Sequence, residues 1–151
     1  MVTFLGVFKH AVDEKFRVAI PARFRDQLAK WGQSDLYAVA RENHIVLFPQ
    51  DAWEKFVERL LSEDNPPHNA QHYDYLRRQV ALSGEICRLD SQGRIMLRPD
   101  QLQAAGVSKE CQIFGNMRVL ELWSPKAFEG MAQKALSQDE NNLWLEIVQS
   151  L

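Results

Sequence analysis

The sequence predicts an α+β fold made of two tandem copies of one unit. Three observations carry that expectation. The chain repeats itself: Asp13, Arg17 and Ile20 recur at one constant spacing as Asp90, Arg94 and Leu97, and "IVLFPQDAWEKF" (Ile45–Phe56) recurs at a nearly equal spacing as "LELWSPKAFEGM" (Leu120–Met131). Two blocks in the same order, present only twice, mark a fused pseudo-dimer rather than a solenoid. Within each copy, short β-prone runs alternate with amphipathic segments that start at proline, aspartate or serine. Finally, 151 residues with 46% hydrophobic and 25% charged content supply a real core, in one domain or two small fused halves.

The first copy, residues 1–62, opens with an apolar strand, Thr3–Val12, then a charged turn and a second short strand, Val18–Ile20. Pro21 starts a short helix, since proline's missing N–H has no helical partner there. Phe24, Leu28 and Trp31 share one face of it, and Gly32 offers a left-handed stop. A hairpin of Leu36–Ala40 with Ile45–Phe48 follows. Asp51 is placed to cap the closing helix with Glu54 as capping-box partner, and Trp53, Phe56, Val57, Leu60 and Leu61 follow the i, i+3, i+4, i+7, i+8 pattern. Residues 63–84 connect the copies: Pro66-Pro67 breaks the helix, and a further helix capped by Asn69 runs to about Leu82 and ends near Gly84.

The second copy, residues 85–136, repeats the plan. Strands Glu85–Leu89 and Ile95–Leu97 lead to a Pro99 helix packed through Leu102 and Ala105 and stopped at Gly106. A hairpin of Gln112–Phe114 with Val119–Trp123 is expected to turn at Gly115-Asn116. Ser124 caps the last helix, Pro125 begins it, and Phe128, Met131, Ala132, Ala135 and Leu136 form its stripe. In residues 137–151 a polar break precedes "LWLEIVQSL", a tail helix. Its Leu143, Trp144, Ile147 and Leu151 are too apolar to leave in water, so it is expected to dock on the body or on a neighbouring subunit.

Composition excludes several classes. A net charge of −2 argues against a uniformly basic nucleic-acid binder but leaves room for a local basic face. Cys87 and Cys111 have no CxxC spacing and read as buried small hydrophobes of a reducing cytoplasm. The N-terminal run lacks a basic leader and is broken by Lys9 and His10, so no signal peptide is expected; no stretch nears the ~20 apolar residues of a membrane span. There is no P-loop, glycine-rich dinucleotide loop or nucleophile elbow, so neither an enzyme nor a small-molecule substrate or cofactor is expected. His68 and His72 have the i, i+4 spacing of a helical metal pair, but no carboxylate or cysteine completes a set, and a solvated pair is the expectation.

Function concentrates in the charged turn. "HAVDEKFRVAIPARFRDQL" (His10–Leu28) places Phe16 between Lys15 and Arg17; "ICRLDSQGRIMLRPDQLQAAGV" (Ile86–Val107) keeps the order with Gly93 in the place of Phe16. Asp13 and Asp90 suit turn-fixing acceptors better than catalytic carboxylates. Lys15 and Arg17, two apart, share a face on a regular strand. Lysine offers phosphate a point charge, arginine a fork for phosphate or guanine. The plainer alternative is a solvated turn with local ion pairs to Asp13 and Glu14. Charge separates the copies: Met1–Gly32 holds six bases against three acids, Glu85–Glu110 four against four. Lys9, Arg23 and Arg25 are thus auxiliary phosphate candidates, while the second motif, with Gln92 in the place of Lys15, reads as structural.

Asp13-x-Lys15-x-Arg17-x-x-x-Pro21, repeated as Asp90-x-x-Gly93-Arg94 with a hairpin and a capped helix after each, resembles the MraZ family of bacterial transcription regulators linked to the division and cell-wall gene cluster. Phe4–Gly6 falls where that family opens with Phe-x-Gly, and the resemblance covers nearly the whole chain. It implies a double-split β-barrel of two swapped-hairpin-like halves with flanking helices, as in AbrB-type regulators. It implies a ring homo-oligomer, located in the cytoplasm at the nucleoid. It also implies that the Asp-x-Lys-Gly-Arg turn contacts double-stranded promoter DNA at short direct repeats in the protein's own operon. Carried onto this chain, the DNA contacts are Lys15 and Arg17, helped by Lys9, Arg23 and Arg25; the turn framework is Asp13, Phe16, Pro21, Asp90, Gly93 and Arg94. A ring would line up several weak patches, an avidity gain of ~10²–10⁴.

Two positions depart from the family. Leu5 stands where many relatives carry a base, and Phe16 where they carry glycine. If that backbone needs positive φ, Phe16 costs about 1–2 kcal/mol. Its use is then either an apolar wedge against nucleotides or packing, on a neighbouring subunit or its own surface. An antitoxin-like protein-binding module and an assembly paralogue without DNA binding are the alternatives of another class.

Overall fold

Among the described residues of the computed structural model, 3–62, 64 and 70–151, eight strands and six helices follow the order the repeat requires; Pro66-Pro67, His68 and the Asn69 cap lie outside them. The first copy contributes β1 (Phe4–Ala11), β2 (Arg17–Ala19), α1 (Ala22–Lys30), β3 (Asp35–Arg41), β4 (His44–Pro49) and α2 (Gln50–Leu61). After α3 (Ala70–Ser83) come their counterparts, β5 (Gly84–Arg88), β6 (Arg94–Met96), α4 (Pro99–Ala104), β7 (Glu110–Met117), β8 (Val119–Trp123) and α5 (Pro125–Ser137), and then the tail helix α6 (Asn141–Gln149).

The copies interlock rather than fold side by side. An antiparallel sheet runs β1-β7-β8-β4-β3-β5, and a separate antiparallel ribbon pairs β2 with β6. Each copy's first strand therefore pairs with the other copy's third: β1 with β7, β5 with β3. Two ladders cross a local pseudo-twofold. In the sheet Val46 faces Glu121, and in the ribbon Val18 faces Ile95, each residue opposite its own counterpart in the repeat. The ladders leave β1 and β5 as edges, so the sheet is open and does not close into a barrel by strand pairing.

Period-two alternation decides which face is buried. Phe4, Leu36, Ile45, Leu47, Ile113, Leu120 and Leu122 point inward from the sheet and meet Val18 and Ile95 from the ribbon and Phe24, Leu28 and Leu102 from α1 and α4. Each fully buried Leu, Ile or Phe there contributes about 1.5–3 kcal/mol. The edges of Phe4 and Phe8 meet Phe24 in T-shaped contacts at 5.6 and 5.3 Å. A second cluster, Val39, Leu60 and Val80 with Phe48, Trp53, Phe56, Tyr73 and Leu76, seals α2 and α3 to the opposite face.

Several local expectations change. Gly115 is not a turn residue but sits in β7 opposite Gly6; a Cβ there would lie 2.7 Å from the Phe4 carbonyl carbon, so glycine permits the close β1–β7 approach. The chain reverses after it, with Met117 at φ 63°. Asp51 does not cap α2. The helix starts earlier, with Pro49 at the N-cap, and Asp51 lies in its first turn, where its Oδ2 accepts from Arg118 Nη2 at 3.3 Å. Pro21 precedes α1 as its N-cap, whereas Pro99 opens α4. Ser124 caps α5 as expected, accepting from the Ala127 amide at 3.2 Å. The tail is helical, but it is not docked on the body: Leu143, Trp144, Ile147 and Leu151 are all exposed.

Candidate nucleic-acid interface

Both charged turns are built by one device. Asp13 Oδ1 accepts the amides of Lys15 and Arg17, each at 2.9 Å, and its Oδ2 accepts Arg17 Nε at 2.8 Å. Asp90 Oδ1 accepts the amides of Gln92 at 2.8 Å and Arg94 at 2.9 Å, and its Oδ2 accepts Arg94 Nε at 3.0 Å. An aspartate that gathers amides two and four residues on pins the loop, as expected of this residue type. The gathered amides, led by that of Arg17 for Asp13 and Arg94 for Asp90, hold both carboxyls below the usual carboxylate range.

The turns are also tied to each other. The Ile20 amide donates to Gly93 O and the Leu97 amide to Phe16 O, each at 2.9 Å. Phe16 and Gly93 occupy the same left-handed position, at φ 62° and 75°. With Val18 and Ile95 turned into the core, Arg17, Ala19, Arg94 and Met96 take the ribbon's outward face. Arg17 stands opposite Met96, and Ala19 opposite Arg94.

Each candidate can now be located. Lys15 is exposed and its ammonium has no ion-pair partner among the described residues. Arg17 is half-buried, its Nε held by Asp13, so for this residue the local ion pair does form. Arg23 is exposed on α1, with its guanidinium beside Gly6. Lys9 pairs with Glu110 at 3.2 Å in a solvent-exposed contact. Arg25 is engaged elsewhere: its Nε donates to Ile20 O at 2.9 Å and its stem lies across Gly93, where a Cβ would come within 2.4 Å of Cδ. His10, whose pKa is lowered by burial and then by Arg25, lies close to this side chain. Phe16 is 42% exposed and absent from the core cluster.

Three further residues escape sequence reading. Gln101 is buried at 1% exposure; its Nε2 donates to Ala38 O and Ser83 O, and its Oε1 accepts the Arg98 amide. Arg98 binds Asp100, Glu85 and the Leu82 and Gly84 carbonyls, fastening the end of α3 to the second copy. Met96 emerges on the ribbon's outer face at 59% exposure. The alternation Arg94-Ile95-Met96 signals that outward position; nothing local signals the partners of Gln101 or Arg98. An open apolar groove of about 560 Å³ between α2, α3 and β5 offers no reactive pair, since Arg77 donates to Leu60 O and Glu85 pairs with Arg98. No helix of the described residues is long and apolar enough to cross a membrane.

A family model described as "MraZ protein, putative antitoxin-like" matches residues 3–74 and 82–144. Proteins named transcriptional regulator MraZ are similar over most of their length. The one from Thermomicrobium roseum is 33% identical over 86% of this chain and 87% of its own. That from Verminephrobacter eiseniae is 33% identical over 88% and 90%, and that from Mycolicibacterium smegmatis 34% over 86% and 87%.

Proposed function

Because the chain belongs to the MraZ family, we propose that it regulates transcription by binding double-stranded DNA through the first-copy turn and the outward face of the β2–β6 ribbon. The observation that carries this reading is the contrast in bound charge. In Glu85–Glu110, Arg88, Arg94 and Arg98 sit in ion pairs and Lys109 alone does not; in Met1–Gly32, Lys9 and Arg17 are paired, but Lys15, Arg23, Arg25 and Lys30 have no ion pair among the described residues. A major groove about 12 Å wide admits a two-stranded ribbon. Asp13 holds Arg17 by Nε, which orients the fork while leaving its Nη groups outside that hydrogen bond. Lys15 supplies a phosphate contact, with Arg23 and the exposed Lys9 as auxiliary contacts; Arg25 acts through the turn it braces.

A single patch on an acidic chain binds weakly, so the reading includes self-association into a ring that presents several turns to repeated sites. The exposed apolar residues of α6 support a subunit contact. The barrel belongs to the same reading: the Val12–Val18 bridge and the Cys87 Sγ–Met96 O contact at 3.4 Å link the ribbon to both sheet edges, as the two parts of a double-split barrel. Its site of action is then the nucleoid, on the promoter of its own division and cell-wall cluster.

A mobility-shift series on repeated promoter DNA tests the reading. Arg17→Ala should weaken binding and flatten the salt dependence; unchanged affinity across the series removes Arg17 from the interface. The exposed α6 favours one second reading, a protein-binding module of antitoxin-like type. Titration with nonspecific duplex at low salt separates the two, since a pure protein-binding module shows no salt-sensitive DNA binding.

A further inference from the structure

The ribbon's pseudo-symmetry is broken at one end. Phe16 corresponds to Gly93 and Met96 to Ala19. The two larger residues fall together, because Met96 stands opposite Arg17 and Phe16 O accepts the Leu97 amide. The two small ones fall together at the other end, where Ala19 stands opposite Arg94 and Gly93 O accepts the Ile20 amide. One end therefore brings no large apolar side chain of its own and lies under the Arg25 stem, whereas the other carries two large apolar side chains at 42% and 59% exposure.

The turn itself does not require a side chain at Phe16. Phe16 keeps a left-handed backbone that glycine would adopt freely, and its turn bonds, Phe16 N to Asp13 O and Asp13 N to Arg17 O at 3.0 Å, are repeated around Gly93 without any side chain. The apolar pair is flanked by Lys15 and Arg17. On the major-groove edge of DNA, the C5-methyl of thymine is the apolar feature that such a pair can cover.

We propose that Phe16 and Met96 form an apolar reading surface for thymine methyl groups in the major groove, giving this chain a base preference at one end of its ribbon. The inference rests on the DNA-binding reading above. Cationic contacts would then set affinity and register, and the apolar pair would discriminate between bases without releasing counterions.

The test uses the full-length protein and a duplex it selects from a random-sequence pool, prepared once with thymine and once with uracil. The parent should bind the uracil duplex about fourfold more weakly for each methyl it covers. The Phe16→Gly/Met96→Ala double variant carries the residues already present at the symmetric positions. It should bind both duplexes equally, with the salt slope of the parent and a retained thermal transition. If the double variant fails to fold, Met96→Ala alone should halve the thymine-to-uracil discrimination or better. A parent indifferent to the methyl, or a variant that keeps the parent's preference, overturns the inference while Arg17-dependent binding leaves the DNA reading standing. Absence of any salt-sensitive binding overturns both.

Discussion

At the first turn Asp13 gathers the amides of Lys15 and Arg17 and grips the arginine by Nε; at the second, Asp90 does the same with Gln92 and Arg94. The two loops nonetheless present different surfaces. The second shows glutamine, a buried glycine and an arginine stem laid over it; the first shows an exposed lysine and a half-exposed phenylalanine at a similar left-handed φ. The aspartate and arginine thus build the loop, and the three residues between them are left to vary. Arg25 makes the difference physical: it reaches from the first copy to cover the second copy's glycine, while Leu102, its counterpart, is buried in the core.

The comparison can be broken from either side. Placing a side chain at the second turn should do most: Gly93→Ala puts a Cβ into the Arg25 stem at a left-handed position, and displaces the Arg25–Ile20 bond. A loss of about 2–3 kcal/mol by denaturant unfolding is expected, against a change within about 1 kcal/mol for Phe16→Gly, where relief of strain offsets lost contact. Next, Lys15→Gln converts the first turn's tip to the residue of the second. DNA affinity should fall by about tenfold at low salt, with the log–log salt slope reduced by about 1, while Gln92→Ala leaves both unchanged. Smaller again is Lys9→Ala, whose exposed pair with Glu110 is worth less than about 1 kcal/mol to stability; its effect should be read in binding.

Acid provides the mildest probe. Both turn carboxyls titrate below their ordinary value in the folded chain, so they bind fewer protons than in the unfolded chain between the two pKa values. Their stabilisation is complete above the ordinary aspartate value and is lost as pH falls through the lowered folded value. Unfolding followed from pH 6 to pH 2 should show this loss, and Asp13→Asn and Asp90→Asn should each flatten part of it. A flat profile for the parent would mean that the two carboxylates do not hold their turns.

Much of the architecture was legible because it depends on near neighbours along the chain. The i, i+3, i+4 stripe of α2, the Ser124 cap and the alternation of β4 each need only a few adjacent residues. The misreadings were failures of the same locality. Gly115-Asn116 looks like a turn until β1 is seen pressed against Gly115, and Asp51 looks like a cap until Pro49 takes that position. At the site, Lys15, Arg17 and Asp13 could be singled out from spacing. The engagement of Arg25 over Gly93 and of Lys9 with Glu110 could not, since each partner comes from the other copy.

By itself, the amino-acid order determined the doubled plan, the kinds of element in each copy, and a turn in which an aspartate binds the amides two and four residues ahead. These follow from backbone geometry and hydrogen bonding over a few residues, which any stretch of chain carries with it. Tertiary structure alone decided which strands of the two copies pair, that one ribbon end gathers Phe16 and Met96, and which cations stay unpaired among the described residues. Those outcomes depend on contacts between residues far apart in sequence, where burial and packing of the whole chain choose among partners that local chemistry leaves equivalent.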